Sequence, residues 1–175
     1  FGRGISVKHG ASLTLERSAV VENHEVGLFA AEPETSVTVM DSLIAHTQPR
    51  PNGTFGRGIG VQEGASLTLE RSAVVENHET GVFASYPRTS VSVKDTLIAR
   101  TQPSSDGTEG WGVGVLKGAS LTLEHSSVVE NHEVGLNAAH AGTSVSMTNT
   151  LIARTQPSPD GTLGRGISVH VGALL

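Results

Sequence analysis

The side chains best equipped for chemistry recur in one short segment, Glu22-Asn23-His24-Glu25. It returns as Glu76-Asn77-His78-Glu79 and as Glu130-Asn131-His132-Glu133. A histidine between carboxylates is a combination used both by metal sites and by acid–base catalysts. The spacing argues against either use. The fourth residue after His24 is Leu28, so the paired-histidine helical zinc motif is not formed. If the three copies stack as strands, equivalent histidines stand two strand spacings apart, ~9.6 Å. Two ligands sharing one zinc at ~2.0–2.1 Å must lie far closer than that. The aspartates are dispersed: Asp41 and Asp95 close outward strand ends, while Asp106 and Asp160 precede glycines in turn-like segments. No pair of them meets as the acid and base that cleave a glycosidic bond. The expectation is a chain with no catalytic residue, no metal site and no cofactor.

Binding chemistry is more plausible than catalysis. Ser12 and Thr14, Ser66 and Thr68, Ser120 and Thr122, with Ser36, Thr38, Ser90, Ser92, Ser144 and Ser146 between them, alternate with aliphatic residues and should face outward. Stacked, they would form two hydroxyl columns, ~7 Å apart along a strand and ~4.8 Å apart between strands. Such an array suits an ice plane or a polysaccharide, although the adjoining column of Glu16, Met40, Glu70, Lys94, Glu124 and Thr148 is largely charged. Aromatic platforms for sugars are few. Phe29 and Phe83 share a column with Asn137, Tyr86 lies close by, and Trp111 stands where Arg3, Arg57 and Arg165 stand in the other copies. Phe29, Phe83, Tyr86 and Trp111 are therefore the candidate ligand surface, although Phe29 and Phe83 read equally well as the cover of a corner of the core, and Phe1 and Phe55 fall in inserted loops.

Positioning these groups requires elements, and the sequence names them by repetition. Gly10–Glu25 reads GASLTLERSAVVENHE and recurs letter for letter at Gly64–Glu79, with a close variant at Gly118–Glu133. The period is 54: repeats 1–54, 55–108 and 109–162, then a partial repeat 163–175. Each repeat holds two similar halves. Gly4 to Gly27 is one half of 23 residues, and Gly27 to Gly58 is a second of 31 that carries the insertion QPRPNGTFGR. Its prolines and Asn-Gly pair, replaced later by Asp106-Gly107 and Asp160-Gly161, are turn formers, because proline fixes φ and glycine accepts positive φ. Within each half the apolar period is two, with Leu13 and Leu15 alternating with Ser12, Thr14 and Glu16. Three short strands per half predict one coil of a parallel β-solenoid, which must stack on neighbours to bury its inner face.

Charge supplies a second indication. Stacking the coils lines up Arg17, Asp41, Arg71 and Asp95, a ladder of alternating sign that continues as His125 and Asn149. A second column runs Glu22, His46, Glu76, Arg100, Glu130 and Arg154. Unlike charges in adjacent strands attract and like charges repel. Asn23, Asn77 and Asn131 form a corner column, alternating with Thr47, Thr101 and Thr155, where an inward amide can bond backbone left unpaired by the bend.

These coils of about 23 residues, with their GxxV-x-SLTL-x-S-x-V-x-N pattern and corner asparagines, resemble right-handed parallel β-helix repeat proteins, the superfamily of pectate lyases, polygalacturonases and phage tailspikes. The resemblance implies an all-β right-handed solenoid of about six to seven coils over residues 1–175. It also implies a secreted or cell-surface location.

Composition narrows the rest. Only 3% of residues are aromatic while 21 are glycine, which suits a narrow aliphatic core. A net charge of −5 with no basic stripe speaks against nucleic acid. No apolar run reaches the ~18 residues of a membrane span. The expected role is a non-catalytic structural or adhesive segment of a longer protein, with a polysaccharide or cell-envelope surface as partner. The alternatives are polysaccharide binding or processing with the active coil elsewhere, and ice binding. Neither end, FGRG nor Gly172-Ala173-Leu174-Leu175, reads as a cap, which predicts end-to-end association of copies.

Overall fold

Alternation in the sequence becomes strand geometry. In Ser36–Met40, Val37 and Val39 are buried while the residues between them are half-buried, and Ser66–Glu70 and Ser120–Glu124 repeat the pattern. The computed structural model describes residues 2–105, 107–158, 161 and 163–175; Phe1, Asp106 and Asp160, named above in loops and turns, lie outside them. The strands form three wholly parallel sheets. Sheet one has seven strands, from Ile5–Val7 to Arg165–His170. Sheet two has six, from Ser12–Glu16 to Ser144–Thr148, and sheet three has six, from Ala19–Val21 to Leu151–Ala153. The chain visits the sheets in turn and then begins again, so each circuit is one coil. Six full coils stack before the last strand, giving the all-β parallel solenoid that the repeats predict.

Register is strict. Ser12 pairs with Ser36 and Asp41 stacks on Arg71, advances of 24 and then 30 residues that hold through the coils. The interior is one cluster of Val, Leu, Ile and Ala, with no ring in it. Leu28, Ile59, Val82, Val113 and Leu136 form one of its ladders; Ile44, Val74, Ile98 and Val128 form another. Burying each such side chain is worth about 1.5–3 kcal/mol, and only stacking achieves it.

Each corner has its own polar device. Between sheets one and two, the hydroxyl of Thr89 accepts from the Gly64 amide at 3.0 Å and donates to the Ser85 carbonyl at 2.8 Å; Thr35 and Thr143 do the same. Between sheets two and three, a hydroxyl ladder climbs the axis. The amides of Ser18, Ser42, Ser72 and Thr96 donate to the hydroxyls of Ser42, Ser72, Thr96 and Ser126 one coil on. Between sheets three and one, Asn77 and Asn131 are fully buried and accept from the amides of Thr47 and Thr101 at 3.0 Å each. The Asn77 amide also donates to the carbonyls of Ile44 and Val75. Asn23, in the first coil, is half-buried and, among the described residues, its side chain donates only to the Val21 carbonyl of its own coil. Backbones approach closely here: a Cβ on Gly81 would stand 2.7 Å from the Gly112 carbonyl oxygen.

Candidate functional site

The outer face of sheet one, with the insertion beside it, gathers most of the distinctive side chains. The insertion returns tightly, Arg50 donating from its amide to Thr54 at 2.9 Å and Gly53 to Arg50 at 2.8 Å. It then rejoins sheet one through the Gly56 and Arg57 amides, both of which donate to the Glu25 carbonyl. Glu25 occupies the left-handed region, φ 69°, which turns its side chain beneath the insertion. There it is 1% exposed, and its Oε1 takes the guanidinium groups of Arg3 at 3.3 Å and of Arg50. Its Oε2 is buried with no hydrogen-bond partner among the described residues. Burial by itself raises the Glu25 carboxyl. The hydrogen bond and charge of Arg50, with the charge of Arg3, outweigh burial and hold it below the ordinary range.

Phe29 and Phe83 are each only 9% exposed, because both faces of each ring are occupied. On one side lies a glycine of the neighbouring strand: Phe29 and Phe83 flank Gly60 in register, and Phe83 also pairs with Gly114. A Cβ on Gly114 would come within 3.3 Å of the Phe83 ring and 3.2 Å of Trp111. On the other side lies an arginine, Arg3 over Phe29 at 4.2 Å and Arg57 over Phe83 at 3.9 Å. Arg57 is ion-paired with Glu79, so the second repeat reproduces the Arg–Phe–Glu unit of the first. The third alters it, with Trp111 and Asn137 in these columns. Trp111 is half-buried and its indole nitrogen has no acceptor among the described residues.

The four candidate aromatic residues therefore do not form one platform. Phe29 faces an enclosed pocket of about 180 Å³ that also holds Arg3, Glu25, Arg50, Phe55 and Arg57. Phe83 and Trp111 both border Gly114. Tyr86, 39% exposed in a turn at φ 77°, carries Lys117 5.0 Å from its ring centre. The sequence reasoning passed over Arg50 and the pairing of Glu25 with it. The available signal was divergence between otherwise matching repeats: Arg50 becomes Ser104 and Ser158, and Phe55 becomes Glu109 and Leu163.

The other columns stand elsewhere. The hydroxyls of sheet two align as Ser12, Ser36, Ser66, Ser90, Ser120 and Ser144, with Thr14, Thr38, Thr68, Ser92, Thr122 and Ser146 beside them. Ser12 and Ser36 bond each other at 2.8 Å. At the next corner Arg71 grips Asp41 through two bonds of 2.8 and 2.9 Å, and the Asp41 carboxyl is lowered by that hydrogen bond. Arg17 instead meets Glu16 of its own coil, and Asn149 donates to His125. His78 and His132 face the carbonyls of Thr47 and Thr101 at 3.1 and 2.9 Å, and His24 pairs with Gln48 through backbone. Among the described residues no group of three or more His, Asp or Glu could hold a metal ion.

The chain that forms these stacked parallel coils matches a known family model, the right-handed beta helix region, over residues 1–152. The chain belongs to the right-handed β-helix family. A comparison with curated proteins found no match. Among solved structures, HetL, a pentapeptide repeat protein involved in heterocyst differentiation regulation from the cyanobacterium Nostoc sp. strain PCC 7120, aligns over 92% of both chains at 11% identity, with a TM-score of 0.21. A likeness that slight carries no argument about this β-helix.

Proposed function

We propose that this β-helix is a non-catalytic rod segment of a secreted or surface protein, serving to set distance and direction between the parts it joins or to lie along a polysaccharide or cell-envelope surface. One observation carries the reading: the coils pair residue for residue in all three sheets, and the conspicuous side chains of the outer faces are engaged in holding coil to coil. A fold of this kind hosts many functions, so the site rather than the architecture must decide. Two Arg–Phe–Glu units, an Arg–Asp clamp and buried asparagines stiffen a ladder. Repetition supplies length, whereas catalysis needs one asymmetric constellation.

The test is co-sedimentation of the chain with a panel of insoluble polysaccharides, peptidoglycan and pectin among them. A rod that serves only as a spacer stays in the supernatant with every polymer, and one that lies along a polysaccharide through its repeated faces is retained equally as parent, Trp111→Ala and Tyr86→Ala. Saturable binding abolished by Trp111→Ala or Tyr86→Ala overturns the reading in favour of a recognition module.

A second reading has a specific observation in its favour. The enclosed pocket of the first repeat combines an unpartnered buried carboxylate oxygen on Glu25 with arginines and two rings, a combination suited to a hydroxyl-bearing acidic sugar. Binding that survives Trp111→Ala yet is lost in Arg50→Ser, which copies the residue of the second repeat, would select it.

A further inference from the structure

The corner between sheets two and three carries a shallow open groove of about 770 Å³, running along the axis past the first four coils. One wall is the charged column Arg17, Asp41, Arg71 and Asp95. The other is Ala19, Leu43, Ala73 and Leu97, stacked in register. The two leucines remain 37% and 36% exposed. Both columns alternate with the same two-coil period, charge in one and size in the other.

The charged column is incomplete at its ends. Its middle rungs, Asp41 and Arg71, satisfy each other. Arg17 reaches only Glu16 of its own coil at 3.3 Å, with its side chain 78% exposed. Asp95 has no ion-pair partner among the described residues.

We infer that this groove is a homodimer surface on which two copies lie side by side and antiparallel. A two-fold axis crossing the groove between the second and third coils sets coil one against coil four of the other copy, and coil two against coil three. Arg17 then faces Asp95 of the second copy, and Asp95 faces its Arg17, which closes both open rungs. The same operation sets Ala19 against Leu97 and Leu43 against Ala73, so each leucine meets a small residue. One rotation satisfies both columns, as an isologous interface requires. A two-fold axis along the solenoid would instead lay the charged column on the apolar one. The third repeat carries His125 and Asn149 in the charged column, which confines the matched patch to the first four coils.

The test is sedimentation equilibrium of the 175-residue chain and three variants. Arg17→Asp and Asp95→Arg each exchange residue types already found at this corner, where φ lies between 44° and 51° from Arg17 to Asp95, so the backbone tolerates both. The chain is expected to dimerise reversibly. Each single variant should weaken the dimer about tenfold by setting like charges opposite each other, twice per dimer. The double variant should return to within about threefold of the parent, since the swap restores both pairs. These two residues stand three coils apart in one chain, ~14 Å, so rescue cannot arise within a monomer. A chain that stays monomeric, a dimer indifferent to either single variant, or a double variant as weak as the singles would each overturn the inference.

Discussion

Glu25 and Asn77 are both buried polar side chains in corners, and their differing partners give different predictions. The Glu25 carboxyl has its folded-state pKa lowered, because Arg50 and Arg3 together outweigh burial. In the unfolded chain it takes up a proton near the ordinary 4.5, while the folded chain holds out to lower pH. The unfolded state then binds more protons in that window. The cluster's stabilisation is complete above the unfolded value and is lost as pH falls through the folded one. Glu25→Gln should cost about 2 kcal/mol at neutral pH by leaving two guanidinium groups short of their counter-ion. The gap in Tm between parent and variant should close as thermal melts are taken from about pH 7 to about pH 3; a gap that stays constant would remove the carboxylate from the account. For Asn77→Ala, loss of bonds to Thr47, Ile44 and Val75 inside the core predicts about 3 kcal/mol in urea unfolding. Asn23→Ala loses one local bond and should cost less than about 1 kcal/mol. Equal costs would mean that the corner amides act locally and do not tie coils together. The Asn column was legible because a polar residue on the inward period of an apolar strand must be bonded by backbone. The Glu25 cluster was not, because Arg50 arrives from a turn-rich insertion whose path no periodicity encodes.

At the scale of strands and corners, alternation fixes which side chains leave the core but not what covers them. Phe29 and Phe83 read either as ligand platforms or as the cover of a corner; the glycines of the adjacent coil and the overlying arginines bury them. Gly60 and Gly114 occupy the register positions that make room for the rings, a feature that becomes visible only once the coils are paired. The corners hide more. Arg17, Asp41, Arg71, Asp95 and His125 all sit in the left-handed region, with φ between 44° and 51°, where a glycine would be the sequence's usual sign. Charged residues there mask the turn while leaving their side chains free to pair along the axis. A β-branched residue adopts that region only at greater steric cost. His125→Val should therefore destabilise by about 2 kcal/mol, whereas His125→Asn, the residue found at Asn149, should be close to neutral. Chemical denaturation of both variants decides the matter, and equal stability would show that this corner relaxes to another conformation.

At the scale of the molecule, the repetition that made the fold legible is also what makes its function hard to read, since each coil offers nearly what its neighbours offer. A solenoid whose coils contact only adjacent coils behaves as a nearly one-dimensional array, with stability and length additive in coils. That additivity gives a direct check on the rod reading. Inserting a further copy of residues 55–108 between Thr108 and Glu109 adds two coils in which Arg57, Glu79 and Phe83 keep one another as partners, the one new seam setting Arg57 of the copy beside Thr80 where Val26 now stands. The rod should lengthen by ~9.6 Å at unchanged cross-sectional radius in small-angle X-ray scattering, and Tm should rise or hold. A larger cross-section, or a loss of cooperativity on melting, would show that the coils are held by something other than their nearest neighbours. The same inserted chain also separates the two structural readings of the surface. Polysaccharide retention through the first-repeat pocket would stay constant per chain, since Arg3, Glu25 and Arg50 are not duplicated by the insertion, whereas retention through an array of equivalent outer-face groups would grow with each added pair of coils.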